Sequence, residues 1–230
     1  MKKYLIFLSL ILIFGSNAIS QTIVAPNFIL KSHETLEVMR MKRNEKGITF
    51  QMLIRNRKDE GGSFCIDKNT EIIANGIAYK ILKIENIPEC PEEHKFEFFG
   101  DNLIFYLHFP PIPPEIKIID IVENCTENCF HFTGLIVDYK LNNEMFAAFD
   151  YYETGMLSEG LLSYKELLAR YEGKEPAIEG LFYFYIINIL KEMGDMEEEK
   201  KWVERFRARN LPNSGWVEDK LSIGDNGLGF

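Results

Sequence analysis

Glu71-Ile-Ile-Ala-Asn75-Gly76-Ile77-Ala-Tyr-Lys-Ile81 decides the fold class of this chain. Two short apolar runs flank an Asn-Gly pair, which accepts the positive φ that a type I′ hairpin turn demands. An antiparallel hairpin is expected here, and the pattern repeats on both sides. Upstream, Thr35 to Arg43 alternates, and Asn44-Glu-Lys-Gly47 supplies turn residues. Ile48, Phe50, Met52 and Ile54 then put four apolar side chains on one strand face. Downstream, strands are expected at Leu103 to Phe109, Ile116 to Glu123 and Cys129 to Asp138. About seven or eight strands at hairpin spacing, with period two from about Thr22 to Lys140, predict an antiparallel β-sandwich. Phe109-Pro-Pro-Ile-Pro-Pro114 interrupts them; proline cannot donate to a ladder, so this is an extended crossover at the sandwich edge. Its Pro-x-x-Pro pattern also suits aromatic grooves, but the structural reading is preferred.

After Asp138 the periodicity changes. Leu157, Leu161, Tyr164, Leu168 and Tyr171 recur at helical spacing. Pro176 suits a first helical turn, and Ala177 to Met193 reads as a second helix, apolar on most sides. Its dense aromatic run, Leu181-Phe-Tyr-Phe-Tyr-Ile-Ile187, is expected as a buried central helix, with a peptide-gripping concave face as the alternative. Asp195 is placed to cap a third helix, Met196 to Asn210, expected to bury Trp202, Val203 and Phe206. Trp216, Val217 and Leu221 suggest a short capping helix. The fold class is therefore α+β: residues 1–20 a signal peptide, 21–142 a sandwich, 143–223 a small all-α module of helical hairpins, and 224–230 a flexible tail.

Met1 to Ser20 carries Lys2 and Lys3, then an apolar stretch from Tyr4 to Gly15, then the small-x-small pattern Ala18-Ile19-Ser20. This is the pattern of a secretory signal cleaved after Ser20, and its apolar part is too short to span a membrane. The expected location is therefore outside the cytoplasm: periplasm, outer-membrane surface or medium. Without that segment 24 basic residues face 35 acidic ones, which argues against nonspecific nucleic-acid binding. No later apolar run is long enough for a transmembrane span.

In an oxidising compartment Cys65, Cys90, Cys125 and Cys129 point to two disulfides, with three connectivities open. Cys125–Cys129 across a short tip, with Cys65–Cys90 pinning the Pro88–Glu93 loop, is the favoured pairing. A four-thiolate zinc site is the alternative, although it usually needs two short Cys-x2–4-Cys pairs and only one is present. A redox-active pair usually reads Cys-x-x-Cys, and the spacing here is one residue longer.

Two resemblances extend this reading. Gly155-Met-Leu-Ser-Glu-Gly160-Leu-Leu-Ser-Tyr164 aligns with Gly194-Asp-Met-Glu-Glu-Glu199-Lys-Lys-Trp-Val203, 39 residues on. Each resembles the second helix of a tetratricopeptide-type hairpin. The spacing exceeds the usual 34, and Glu199 and Phe206 occupy positions where that motif has small residues. The β part, through Leu103-Ile-Phe-Tyr-Leu-His-Phe-Pro-Pro-Ile-Pro-Pro114, Ile118-Ile-Asp-Ile-Val-Glu123 and Cys129-Phe-His-Phe-Thr-Gly134-Leu-Ile, resembles a module of exported Gram-negative envelope proteins that often precedes a thioredoxin-like domain. No Cys-x-x-Cys and no βαβ pattern follow in this sequence, so the resemblance implies location and fold without transferring an activity.

Motifs for chemistry are missing: no Gly-x-Ser-x-Gly elbow, no His-Glu-x-x-His, no phosphate-cradling loop. His108 and His131 lie on different strands and could converge on one sheet face as a metal or acid–base pair. Arg40, Lys42, Arg43, Lys46, Arg55, Arg57 and Lys58 concentrate basic charge around the first hairpin of an acidic chain. They suit an anionic partner or a surface polysaccharide, or else are solvated edges that oppose aggregation. The expected function is a non-catalytic binding or assembly protein of the bacterial envelope with a protein partner, no cofactor and no metal; the sequence is silent on oligomeric state. The alternative is a redox accessory or hydrolytic enzyme with its site at the sandwich end near the Pro-rich loop.

Overall fold

Asn75 and Gly76 both adopt positive φ, at 48° and 76°, and join two paired strands as the dipeptide predicts. The computed structural model describes residues 20–126, 128–212 and 214–223. The expected signal peptide up to residue 19 and the tail 224–230 lie outside the described residues. Strands come first: β1 (Gln21–Val24), β2 (Leu30–Lys31), β3 (Leu36–Asn44), β4 (Gly47–Arg55), β5 (Ser63–Phe64) and β6 (Glu71–Ala74). They continue with β7 (Ile77–Lys80), β8 (Lys83–Glu85), β9 (His94–Lys95), β10 (Asn102–Phe109), β11 (Ile118–Val122) and β12 (His131–Ile136). Helices follow as α1 (Tyr139–Glu153), α2 (Leu157–Tyr171), α3 (Pro176–Glu192), α4 (Met196–Arg209) and α5 (Ser214–Ile223). The strands beyond the expected seven or eight are mostly very short, such as β2, β5 and β9 with two residues each, and a pattern of period two needs more length than that to register.

Two five-stranded antiparallel sheets carry the β part, in the orders β1-β3-β4-β10-β8 and β2-β12-β11-β6-β7; β5 and β9 form a small third ribbon. Ile48, Phe50, Met52 and Ile54 are all at most 2 % exposed, and they form one cluster with Ile72, Ile119, Ile121 and Phe132 of the second sheet. The core thus lies between the sheets, and burying each such side chain stabilises by about 1.5–3 kcal/mol.

A bulge between Val38 and Arg40 breaks the alternation expected through β3. Leu36 and Val38 point into the core before it, Met41 after it. The extra residue reverses the parity of the strand. Arg40 and Lys42 are thereby kept outside, while Arg43 turns inward and becomes half-buried. Its guanidinium donates to the carbonyls of Ile112, Pro113 and Ile116, which ties down the Pro-rich segment.

Asp138 caps α1, its carboxylate accepting from the Leu141 N–H at 2.7 Å. From α1 to α4 each helix packs on the next, and α5 returns to α3. Ile29 and Ile136 from the second sheet join the helical core, so the two parts share a packed boundary. From Ile178 to Leu190 α3 is buried on every side, which leaves its aromatic run unavailable to a peptide. One placement differs from expectation: of Trp202, Val203 and Phe206, only Phe206 is buried. Trp202 is half-buried and stacks under Lys165 and Arg205, at 5.2 and 4.8 Å from its ring. Amphipathic spacing identifies the inner face of α4 without saying how far it is covered.

Gly155 and Gly194 have nearly equal positive φ, 77° and 74°, and α2 and α4 start at equivalent positions after them. Gly160 packs tightly on α1, where an added Cβ would lie 3.4 Å from the Tyr152 nitrogen; Glu199 holds the corresponding place in α4. Among the described residues no helix is long and apolar enough to cross a membrane.

Candidate functional site: a basic cleft at one end of the sheets

At its last residue, Arg55, β4 leaves the first sheet, and Asn56 takes over the path of the chain. Asn56 is 5 % exposed. Its Nδ2 donates to the carbonyls of Lys58 and Phe98, and its Oδ1 accepts from the Lys58 N–H. Its own backbone bonds with Asp101 and Gly100 complete the anchorage. Gly62 closes over this amide so tightly that an added Cβ would lie 2.2 Å from Asn56 Oδ1. One buried side chain therefore fixes the backbone that presents Arg57 and Lys58.

These residues form one wall of a cleft of about 470 Å³. Ser32, His33 and Thr35 come from the turn between β2 and β3, Ser63 and Phe64 from β5, and Asn128 and Cys129 from the loop before β12. The disulfides stand at two of these walls. Cys65–Cys90 fastens the chain directly after Phe64, and Cys125–Cys129 closes the loop that carries Asn128. Among the described residues no cysteine is free, so no thiolate is left to ligate zinc or to act as a nucleophile. Covalent pinning of two walls means that little ordering remains to be done when a ligand arrives.

The electrostatics of the cleft oppose those of the chain. Arg55, Arg57 and Lys58 line it, and no carboxylate does among the described residues. The whole protein has a formal net charge of −9. Arg55 meets Glu37 at 3.6 Å, whereas Arg57 and Lys58 have no ion-pair partner among the described residues. His33 hydrogen-bonds with Thr35 Oγ1 at 3.1 Å and meets the Phe64 ring edge-on. Burial, together with the charge of Lys31, holds its imidazole below the usual histidine range. The ring is neutral at pH 7.

The basic residues expected as one patch divide into three groups. Arg55, Arg57 and Lys58 belong to the cleft. Arg40 and Lys42 lie on the outer face of the first sheet, and Lys46 is exposed in the β3–β4 turn. The charge of Arg43 is spent on carbonyl oxygens.

His108 and His131 do not converge: β10 belongs to the first sheet and β12 to the second. Sequence order gives no sheet membership, which is why the pair looked plausible. His108 has other partners that the sequence did not reveal. Thr49 Oγ1 lies 3.0 Å from its Nδ1, and Glu85 Oε2 lies 3.0 Å from its Nε2. Hydrogen bonds from Lys83 and then His108 hold the Glu85 carboxyl below its usual range. Hydroxyl, imidazole and carboxylate in this order resemble an activated nucleophile. Here they form a cross-strand row on an outer sheet face, where the N–H groups of β4 and β10 are committed to strand pairing and none is aimed at an oxyanion. The row links β4, β10 and β8 through their side chains. Among the described residues, no group of three His, Cys, Asp or Glu side chains is arranged to hold a metal ion.

Two antiparallel sheets followed by packed helices, with a disulfide-flanked basic cleft, define the class of this protein. Compared with known proteins, the chain matches no family model, no curated protein and no solved structure.

Proposed function

We propose that this chain is an exported, non-catalytic binding protein of the bacterial cell envelope, in which a β-sandwich carries a basic cleft for an anionic partner. One observation carries the reading: an acidic chain keeps three cations and no described carboxylate around this cleft, two of those cations with no ion-pair partner among the described residues. Unpaired positive charge lining a cleft attracts an anion and steers its approach. Export is supported by two disulfides and by the leader-like first 20 residues. The 39-residue correspondence between Gly155 and Gly194 supports a degenerate tetratricopeptide-like module, a second surface for protein contacts. The redox or hydrolytic alternative is not favoured, because the cysteines are paired and Arg43 straps the Pro-rich segment to the sheet.

The experiment is crosslinking in the native cells with tagged full-length protein, run side by side with Arg57→Glu/Lys58→Glu. A stoichiometric envelope component captured by the wild type and lost in the charge-reversed variant is expected. Identical capture profiles overturn the reading.

A further inference from the structure

The cleft offers more than charge. Ser63 brings a hydroxyl, Asn128 an amide, His33 a neutral imidazole whose Nδ1 is already bonded to Thr35, and Phe64 a half-buried ring, while the Ser32 hydroxyl accepts from the His131 N–H and braces the wall. A compact oxyanion such as phosphate needs a tight nest of N–H groups, and most of this lining would be idle around it. An acidic peptide binds best along a long open strand edge, but of the strands in this wall β4 is paired on both sides and β5 is two residues long. A ligand that is broad, hydroxylated and singly charged per unit uses the whole surface. Its ring face covers Phe64, its hydroxyls meet Ser63, Asn128 and the Nε2 of His33, and its carboxylate reaches the planar fork of Arg57 with Lys58 beside it.

We propose that the cleft at the Cys129 end of the two sheets binds an acidic oligosaccharide of the uronate type, with the carboxylate on Arg57 and Lys58 and one sugar ring on Phe64. This rests on the anionic-partner reading above and narrows it to a ligand class. The pinned walls suit a weakly differentiated polymer, since affinity then comes from a preformed surface rather than from closure around one end group.

The test is calorimetric titration of the disulfide-intact full chain with galacturonate tetramer at low ionic strength. Maltotetraose, inorganic phosphate and a tetraglutamate peptide are titrated alongside. Saturable binding of the uronate is expected, weakening with added salt, with the other three at least about fivefold weaker. Arg57→Met should lower uronate affinity by about fivefold or more. Phe64→Leu, which keeps the apolar contact and removes the ring, should lower it by a similar factor; a far-ultraviolet spectrum and melting temperature near the wild type show that the fold is intact. Equal or tighter binding of phosphate or of the acidic peptide overturns the uronate assignment and leaves the anionic cleft standing. Unchanged uronate affinity in Phe64→Leu also overturns it, because charge alone would then explain the binding. Absence of uronate binding overturns it as well, while the cellular capture experiment decides the broader reading separately.

Discussion

Asn27 and Asn142, 115 residues apart and both buried, join the sheets to the helices: Asn142 Oδ1 accepts from the backbone N–H and from the Nδ2 of Asn27, each at 2.8 Å. Asn142 lies in the first turn of α1, next to the Asp138 cap, so the joint is made where the helical part begins. Asn142→Ala strips the Asn27 backbone N–H of its acceptor and leaves the Asn27 Nδ2 with only its longer bond to the Asn142 carbonyl, at 3.4 Å. The expected cost is about 2–4 kcal/mol in urea unfolding. Asn27→Ala and the double variant complete a cycle, with a coupling of about 1–3 kcal/mol expected between the two sites. A loss below about 0.5 kcal/mol would mean that apolar packing around Ile29 and Ile136 holds the parts together unaided.

The two bridges should differ in what they contribute. Chain-entropy arguments give about 3.5 kcal/mol for a loop the size of Cys65–Cys90 and about 2 kcal/mol for the much smaller Cys125–Cys129 loop. Replacing each pair by serine and melting the variants measures this. The Cys65→Ser/Cys90→Ser protein should melt lower than Cys125→Ser/Cys129→Ser, and the native chain unfolded without reductant should show no titratable thiol. The reverse order of melting would show that the short loop constrains more than its length.

Phe206 and Trp202 lie four residues apart on α4 with unequal burial. Phe206→Ala should cost about 3–5 kcal/mol, as for a large side chain removed from a core. Trp202→Ala removes half-covered packing and two cation–π contacts, for about 1–2 kcal/mol. Equal losses from the two substitutions would place Trp202 in the core after all.

Glu179 has a fully buried carboxylate held by Arg209 at 2.8 Å and by the Gly173 N–H. Arg209 projects from the last turn of α4 and Glu179 from the first turn of α3, so this pair clamps the second helical hairpin. Arg209→Met leaves the buried Glu179 carboxyl with the Gly173 N–H alone and should lower the melting temperature. Adding Glu179→Gln should recover a large part of that loss; no recovery would assign the damage to lost packing of the arginine stem.

His33 gives the cleft a pH signature. Its folded pKa lies below the ordinary value of 6.5 through burial and Lys31, against the opposing pull of Glu34. Folding therefore favours the neutral ring, and this contribution is present above pH 6.5 and is lost as pH falls below it. Anion affinity moves the opposite way, because protonation adds a charge to the cleft. Binding of an anionic ligand should strengthen on acidification below that value, and His33→Gln should flatten the trend. A wild-type profile already flat would remove His33 from the binding surface.

Local signals carried much of the architecture. Asn75-Gly76 has a backbone requirement that few other dipeptides meet, and the four-residue alternation in β4 is long enough to set a face. Pro176 and Asp195 mark the starts of α3 and α4, and the favoured cysteine pairing is the one formed. Less was legible where contacts decide. The bulge at β3 depends on pairing across two strands, and it separates Arg43 from Arg40 and Lys42. Helix α1 carries Asp138 and then Leu141, Met145, Ala148 and Tyr152 at helical spacing, a signal that the strand pattern just before it obscured. For the site, the cations were visible and their surroundings were not. Asn56 gave no hint of its role, since its importance comes from Phe98 and Gly62, far along the chain or facing it in space.

Both covalent staples stand at the Cys129 end of β12, while the helices begin beyond its Ile136 end, about 20 Å away for a six-residue strand. Oxidation state is thus legible at one pole of the molecule and silent at the other. A newly made copy held among reduced thiols could complete its helical half and still lack a rigid mouth. On the proposed reading of an exported binding protein, capture switches on with arrival in an oxidising compartment, and the address of the protein sets when it begins.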